Sequence, residues 1–200
     1  TIGTESGKER DPQIMVLSSY EGLEGGTVYI FGGKSYVVAS DDGINSANGS
    51  ANDEGGFGGD GFNPGGQPGG PGGQGGMPGS SAGSSSGLDL YVYGGDIYIN
   101  CEGDGIDSNG NLTLTGGNIT VFSQAANGNA DNSAIDADGT ILIDGATVFT
   151  AGAPGVDGTA QSSWFGTSQK YKTISSSYSS GTVLNVTSGS ELIYSETMPK

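Results

Sequence analysis

Histidine is absent from this 200-residue chain, and cysteine occurs once, as Cys101. A single thiol forms no internal disulfide, so the fold is held by other means. A small buried core position is the expected role of Cys101. The shortage of His and Cys argues against zinc and other soft-ligand chemistry. Basic residues are scarce as well: six Lys and Arg stand against 22 Asp and Glu, for a net charge of −16. Between Arg10 and Lys170 the only cation is Lys34. Such a chain repels nucleic acid phosphates and anionic lipid, and it attracts cations. No apolar run approaches the ~18 residues of a membrane span, so no membrane insertion is expected. Long amphipathic helical stripes are missing too. No signal peptide is visible and the first residue is Thr, so the chain reads as a processed product or a fragment.

Glycine is what the chain has in excess, with 41 residues against a usual share of roughly 7%. Together with many Ser, Thr, Asn and Tyr it suggests an extracellular or cell-surface protein. Much of the glycine falls at repeated positions. Val28-Tyr29-Ile30-Phe31-Gly32-Gly33 aligns with Leu90-Tyr91-Val92-Tyr93-Gly94-Gly95, with Leu112-Thr113-Leu114-Thr115-Gly116-Gly117 and with Ile141-Leu142-Ile143-Asp144-Gly145-Ala146. Each is a two-residue apolar alternation running into a small-residue corner. A second short strand follows each corner, centred on Tyr36, Tyr98, Thr120 and Phe149. Strands this short bury no face alone, and stacked in parallel they build a continuous core. The predicted fold is therefore all-β, a parallel β-helix over residues 14–152. A sandwich, the competing reading, has no reason to repeat its corners.

Three segments lie outside the repeat. Residues 1–13 read as an N-terminal arm. Residues 46–87 are a Gly/Pro/Ser-rich insertion with linker composition, expected to lie on the coils as polyproline II if ordered. Residues 153–200 read as a C-terminal β cap, with strands at Tyr171–Ile174, Thr182–Val186 and Glu191–Tyr194 separated by Ser/Gly turns. Such a cap would cover the open end of the stack.

A second repeated element carries the chemistry. Gly103-Asp104-Gly105-Ile106-Asp107-Ser108-Asn109-Gly110 resembles Asp41-Asp42-Gly43-Ile44-Asn45, Glu21-Gly22-Leu23-Glu24 and Ser133-Ala134-Ile135-Asp136-Ala137-Asp138-Gly139. In register these form two ladders: Glu24, Asn45, Asp107, Asp136, and, three residues earlier, Glu21, Asp42, Asp104, Ser133. Carboxylates on adjacent strands stand ~4.8 Å apart, where they repel by about 1 kcal/mol in water and about 3–4 kcal/mol at an effective dielectric of 20. Solvent, raised pKa values or a bound cation must relieve this. Asp107-x-Asn109-Gly and Asp136-x-Asp138-Gly place alternate oxygens on one side of a tight turn, which suits Ca²⁺. The candidate ligands are Glu21, Glu24, Asp41, Asp42, Asn45, Asp104, Asp107, Asn109, Asp136 and Asp138. The plainer alternative is a set of Asx turns.

Register also aligns aromatics on outward positions: Tyr29 with Tyr91, Phe31 with Tyr93, Tyr36 with Tyr98. These six are the candidate carbohydrate-binding residues, as aromatic strips suit the C–H faces of pyranose rings. Mutual cross-strand packing, or cover by the insertion, explains them equally well. Trp164 and Phe165 read as packing for the cap.

With these residues in view, the chain resembles a secreted bacterial carbohydrate-binding family of right-handed parallel β-helices. The resemblance rests on Ser18 to Glu24, Ala39 to Asn45, Glu102 to Gly110 and Ala134 to Gly139, and on the glycine-rich insertion after Asn45. It departs from the family where Ala137 replaces an aromatic. The resemblance implies calcium binding and, as partners, cellulose and pectin-type acidic polysaccharide such as polygalacturonate. Three functions follow as expectations. The first is a non-catalytic, calcium-dependent polysaccharide-binding protein. The second is a subunit of an extracellular filament or surface layer, a homo-polymer of stacked β-helices. The third and weakest is a pectin-active lyase or hydrolase using Asp41/Asp42 or Asp104/Asp107; no catalytic residue is expected, because those carboxylates already serve the corners.

Overall fold

A computed structural model of the chain describes residues 1–4, 12–47, 87–124, 132–152, 162–166 and 168–199. The insertion lies almost wholly outside the described residues, so its predicted packing on the coils does too. The described residues are all-β apart from one 3₁₀ turn, Ser162–Trp164. None of their helices is long and apolar enough to cross a membrane.

Strand β1 (Gln13–Ser19) is followed by β2 (Leu23–Gly25), β3 (Val28–Ile30), β4 (Lys34–Ala39) and β5 (Ile44–Ser46). After the insertion come β6 (Leu90–Val92), β7 (Asp96–Cys101), β8 (Ile106–Ser108), β9 (Leu112–Leu114) and β10 (Asn118–Ser123). Then follow β11 (Ile141–Ile143), β12 (Thr147–Ala151), β13 (Val183–Ser188) and β14 (Glu191–Thr197). The first twelve form three parallel sheets, ordered β1-β4-β7-β10-β12, β3-β6-β9-β11 and β2-β5-β8. From β2 onward the chain visits the three sheets in a fixed rotation, one circuit after another. In the last circuit the three-stranded sheet is represented by a single bridge, Ile106 to Ile135.

The register agrees with the sequence alignment. Val28, Leu90, Leu112 and Ile141 stand in one row. Val37, Ile99, Val121 and Thr150 stand in another. Alternate residues of these strands turn inward, so Leu90, Val92, Ile99, Leu112, Leu114 and Val121 are fully buried. Cys101 lies in the same core, its thiol directed at the carbonyls of Gly103, Asp104 and Phe122.

The corner between the four- and five-stranded sheets needs a left-handed residue in every circuit. Gly33, Gly95 and Gly117 supply it with φ of 96°, 104° and 91°. In the last circuit Ala146 occupies the place of the second glycine, and the left-handed residue moves back to Gly145, with φ of 107°. A Cβ there would cost roughly 1–2 kcal/mol, so the turn shifts to the residue without one.

The ends differ from the sequence expectation. Residues 1–4 are not a free arm: Ile2 bridges Ile30, exchanging backbone hydrogen bonds with Tyr29 and Phe31 at 2.8 Å. At the other end, Phe165 bridges Ile143, and Gly166 N donates to its carbonyl at 2.9 Å. Trp164 and Phe165 pack on the core. Of the three expected cap strands only two form, β13 and β14, as an antiparallel hairpin. Tyr171–Ile174 is exposed and joins no sheet, because the hairpin takes its strands from later in the chain and offers this segment no partner. The hairpin contacts the stack through Tyr194. Its Tyr194 hydroxyl hydrogen-bonds Thr120 Oγ1 at 2.7 Å, and its ring stacks on Phe149 at 5.1 Å. It lies on the outer face of the five-stranded sheet.

Candidate cation corner and aromatic faces

The three-stranded sheet builds the acidic corner. Leu23, Ile44 and Ile106 pair in one inward row, continued by Ile135. The next residues, Glu24, Asn45 and Asp107, pair in an outward row, which Asp136 extends beyond the bridge. Gly22, Gly43 and Gly105 precede the inward residues. A Cβ on Gly43 would collide with Ile99 and the Gly105 carbonyl, and one on Gly105 with Val121 and the Ala134 carbonyl. These glycines let each corner press against the next, and that pressure sets the carboxylates close together.

Asp104, Asp107 and Asp136 each present a carboxylate oxygen within 4.8 Å of the other two. Asp42 adjoins them. Its Oδ1 accepts from the Asp104 backbone N–H at 2.7 Å, and its Oδ2 from Asn45 Nδ2 at 3.4 Å. Asp104 Oδ1 accepts from the Ser133 N–H, and Asp136 Oδ1 from the Ala137 N–H at 2.9 Å. Asp42 and Asp104 thus cap backbone N–H groups of the neighbouring circuit rather than of their own turn, and these bonds do not exhaust the oxygens. Asn45 is 9% exposed, and its Oδ1 is buried with no hydrogen-bond partner among the described residues. A buried amide oxygen left in this way costs roughly 1–3 kcal/mol.

Burial raises the Asp107 carboxyl from 3.8 to about 8, with Asp42, Asp104, Asp136 and Asp138 adding to the shift. Burial also raises Asp42 to about 8, helped by Asp104 and Glu21. The Cys101 thiol behind the corner is pushed up to about 12 by burial first, then by Asp42 and Asp104. Negative charge is therefore concentrated and poorly solvated here. A hard cation fits this donor set of carboxylates and one stranded amide oxygen.

Of the ten residues singled out as metal ligands, the structure gathers Asp42, Asn45, Asp104, Asp107 and Asp136. Glu21 and Asp41 flank them, half-buried, and Glu21 adds its charge to Asp42. Glu24 is exposed on edge strand β2, and Asp138 is exposed beyond Asp136. Asn109 follows β8, with its N–H on the Ser46 carbonyl at 3.2 Å.

The aromatic residues fall on two different sheets. Tyr29 stacks on Tyr91 and Phe31 on Tyr93, both at 5.1 Å, on the four-stranded sheet. Tyr36 stacks on Tyr98 at 4.9 Å, with planes 3° apart, on the five-stranded sheet. Parallel rings this close cannot lie side by side, so they overlap face to face. The expected strip of open ring faces is instead a set of short stacks, exposing ring edges and the two outermost faces. Mutual packing and partial exposure coexist.

Sequence reasoning missed several polar neighbours. Asp89 precedes β6, and its Oδ2 accepts from the Tyr91 hydroxyl at 2.9 Å. Its Oδ1 accepts from both the backbone and side-chain N–H of Asn111, and the backbone bond leads in holding the Asp89 carboxyl below its ordinary value. Asn111 Oδ1 in turn accepts from Thr140 Oγ1 at 2.8 Å. The alignment that found the strands also aligns Asp89, Asn111 and Thr140. On the five-stranded sheet a groove of about 580 Å³ crosses β1, β4, β7 and β10. It is lined by Met15 as well as Tyr36 and Tyr98, and by Lys34, Asp96 and Asn118. No feature of the repeat announces that Tyr194 closes over this sheet.

Against known proteins, a family model described as carbohydrate-binding domain-containing protein matches residues 77–197. No curated protein and no solved structure matches the chain.

Proposed function

The chain belongs to the family of carbohydrate-binding domain-containing proteins, and on that premise we propose that it is a non-catalytic, calcium-dependent polysaccharide-binding protein of the extracellular space or cell surface. Its three parallel sheets, visited in rotation, are read as a right-handed parallel β-helix. The observation that carries the reading is the span of the family match. Residues 77–197 hold Tyr91, Tyr93 and Tyr98 together with Asp104, Asp107 and Asp136, so the aromatic stacks and the acidic corner both fall within it.

Asp104, Asp107 and Asp136 would hold a calcium ion, with Asp42 beside them and Asn45 Oδ1 as a neutral oxygen donor. The bound ion supplies positive charge that relieves the corner and accepts the carboxylates of a uronic acid chain such as polygalacturonate. The chain's own residues set the conditions. Backbone N–H groups of Asp104, Ser133 and Ala137 orient carboxylate oxygens, and the glycines keep the three strands in close register. The aromatic stacks contact neutral chains such as cellulose. Catalysis is disfavoured because Asp104 and Asp107 are engaged at the corner and the circuits hold no basic residue but Lys34.

Retention on insoluble cellulose and on polygalacturonate gels tests the proposal. Retention that EDTA weakens on polygalacturonate is the expected result. Absence of retention on any polysaccharide overturns the reading, and equal retention with EDTA removes calcium from it. A second role, as a homo-polymeric filament or surface-layer subunit, is favoured by one observation. Among the described residues β1 is an edge strand of the largest sheet, and it leaves Leu17 66% exposed. Electron microscopy of the protein in calcium distinguishes fibres from dispersed monomers.

A further inference from the structure

On the outer face of the five-stranded sheet, register arranges side chains in parallel rows. One row is Met15, Tyr36, Tyr98, Thr120 and Phe149, one residue from each strand in sheet order. Beside it runs a polar row of Lys34, Asp96 and Asn118. The groove lies along these two rows from β1 to β10. Its length is about three strand spacings, or roughly 14 Å.

The two ends of the groove differ. At β1 it runs out to the sheet edge past Met15, which is 70% exposed. At β10 it stops where the Tyr194 hydroxyl bonds Thr120 and the Tyr194 ring covers Phe149. A chain lying along the groove therefore enters over Met15 and meets the hairpin. It cannot continue along the row without displacing Tyr194.

The walls also select by charge. Lys34 Nζ stands 3.8 Å from Asp96 Oδ2, and Asp96 Oδ1 accepts from Asn118 Nδ2 at 2.9 Å. The one cation of the circuits is thus matched by a carboxylate. Among the described residues lining the groove an anionic chain finds no free positive charge, on a protein of net charge −16. Hydroxyl groups find donors and acceptors in this row, and pyranose C–H faces find thioether and ring carbon in the other.

We propose that this groove captures the terminal residues of a neutral pyranose chain, with Tyr194 and its hairpin as the stop. The inference rests on the carbohydrate-binding reading and gives this groove a task separate from the acidic corner. Neutral chains bind here end-on, and acidic chains bind at the cation site.

Titration calorimetry in calcium with cellohexaose, a neutral β-1,4-linked gluco-oligosaccharide, tests it alongside a high-mass hydroxyethyl cellulose. Expected is one protein per chain for both, since each offers one end of the required polarity. Several proteins per polymer chain overturn end capture. Met15→Glu, at an exposed edge where folding is undisturbed, and Tyr36→Ala each lower affinity for cellohexaose about tenfold or more. Leu17→Glu, on the same strand and outside the groove, leaves it unchanged. Wild-type affinity in both groove variants overturns the assignment to this groove. Wild-type protein that ignores cellohexaose yet is retained on polygalacturonate refutes the neutral groove and spares the family-level function. Retention on neither material refutes both.

Discussion

Replacing Asp107 by Asn should change stability in opposite directions with and without calcium. The carboxyl titrates at its ordinary 3.8 in the unfolded chain and at about 8 in the folded, metal-free protein. Between those values the folded state holds a proton that the unfolded state has released. Stability of the metal-free protein is therefore full below pH ~4 and is lost as pH rises through about 8. At pH 7 the span is about three units at ~1.4 kcal/mol each. Part of this cost comes from the oxygens of Asp104 and Asp136, both within 4.8 Å. Each pair repels by about 1 kcal/mol in water and about 3–4 kcal/mol at a dielectric of 20. The proton linkage places the gain from Asp107→Asn in EDTA at about 4 kcal/mol, inside the range of about 2–8 kcal/mol that the two pairs allow. For a chain of this size that is a rise in Tm of roughly 5–15 °C. In calcium the same substitution removes a charged ligand, and the wild type becomes the more stable protein. Differential scanning calorimetry at pH 7, in EDTA and in millimolar calcium, reads both signs. Repeating the EDTA scan at pH 4 should abolish the gain, because both side chains are then neutral. A variant less stable than wild type in EDTA at pH 7 would refute the crowded-carboxylate argument. An equal calcium-induced rise in both proteins would refute Asp107 as a ligand.

Other perturbations probe the parts that hold the corner and the groove. Gly105→Ala forces a methyl against Val121 and the Ala134 carbonyl, and should cost about 1–3 kcal/mol in urea unfolding, with weaker calcium binding. Tyr194→Phe removes the hydroxyl bonded to Thr120 and should cost about 0.5–1.5 kcal/mol; hydrogen exchange in β13 and β14 should rise while the circuits stay protected. Cys101, buried with its thiol pushed up to about 12, should resist Ellman's reagent at pH 8 in the native protein and react at once in guanidinium.

Most of the circuit architecture was legible because it repeats. Rows such as Val28-Leu90-Leu112-Ile141 and Tyr36-Tyr98-Thr120-Phe149 follow from aligning glycine corners, since stacking in parallel forces equivalent residues into register. The acidic ladders came from the same alignment. What did not repeat was not legible. Tyr171–Ile174 carries strand-like alternation, but a strand exists only where a partner presents an open edge. Ile2 looked like part of a polar arm, and one backbone bridge to Ile30 fixes it to the four-stranded sheet. The placement of Tyr194 on Thr120 and Phe149 depends on how the hairpin docks, which no local pattern encodes. Ring orientation was hidden as well, because register says which tyrosines are neighbours and not that they overlap face to face.

The insertion after β5 has a kinetic consequence. Successive circuits beyond it meet across short closures: Asp89 and Asn111 are 22 residues apart, and Asn111 and Thr140 are 29 apart. Before it, Ser19 and Ser40 are 21 apart. Across it, Ser46 and Ser108 are 62 apart. Closing the longer loop costs about 0.9 kcal/mol more than the 22-residue one. The stack is therefore divided in the order of its assembly. Residues 12–47 and 87–152 each close on themselves first, and β3, β4 and β5 then add to β6, β7 and β8 as to a template. The family match, which begins at residue 77, covers only the second of these halves. This second half, which closes on itself without waiting for the first, is also the half that holds Asp104, Asp107 and Asp136.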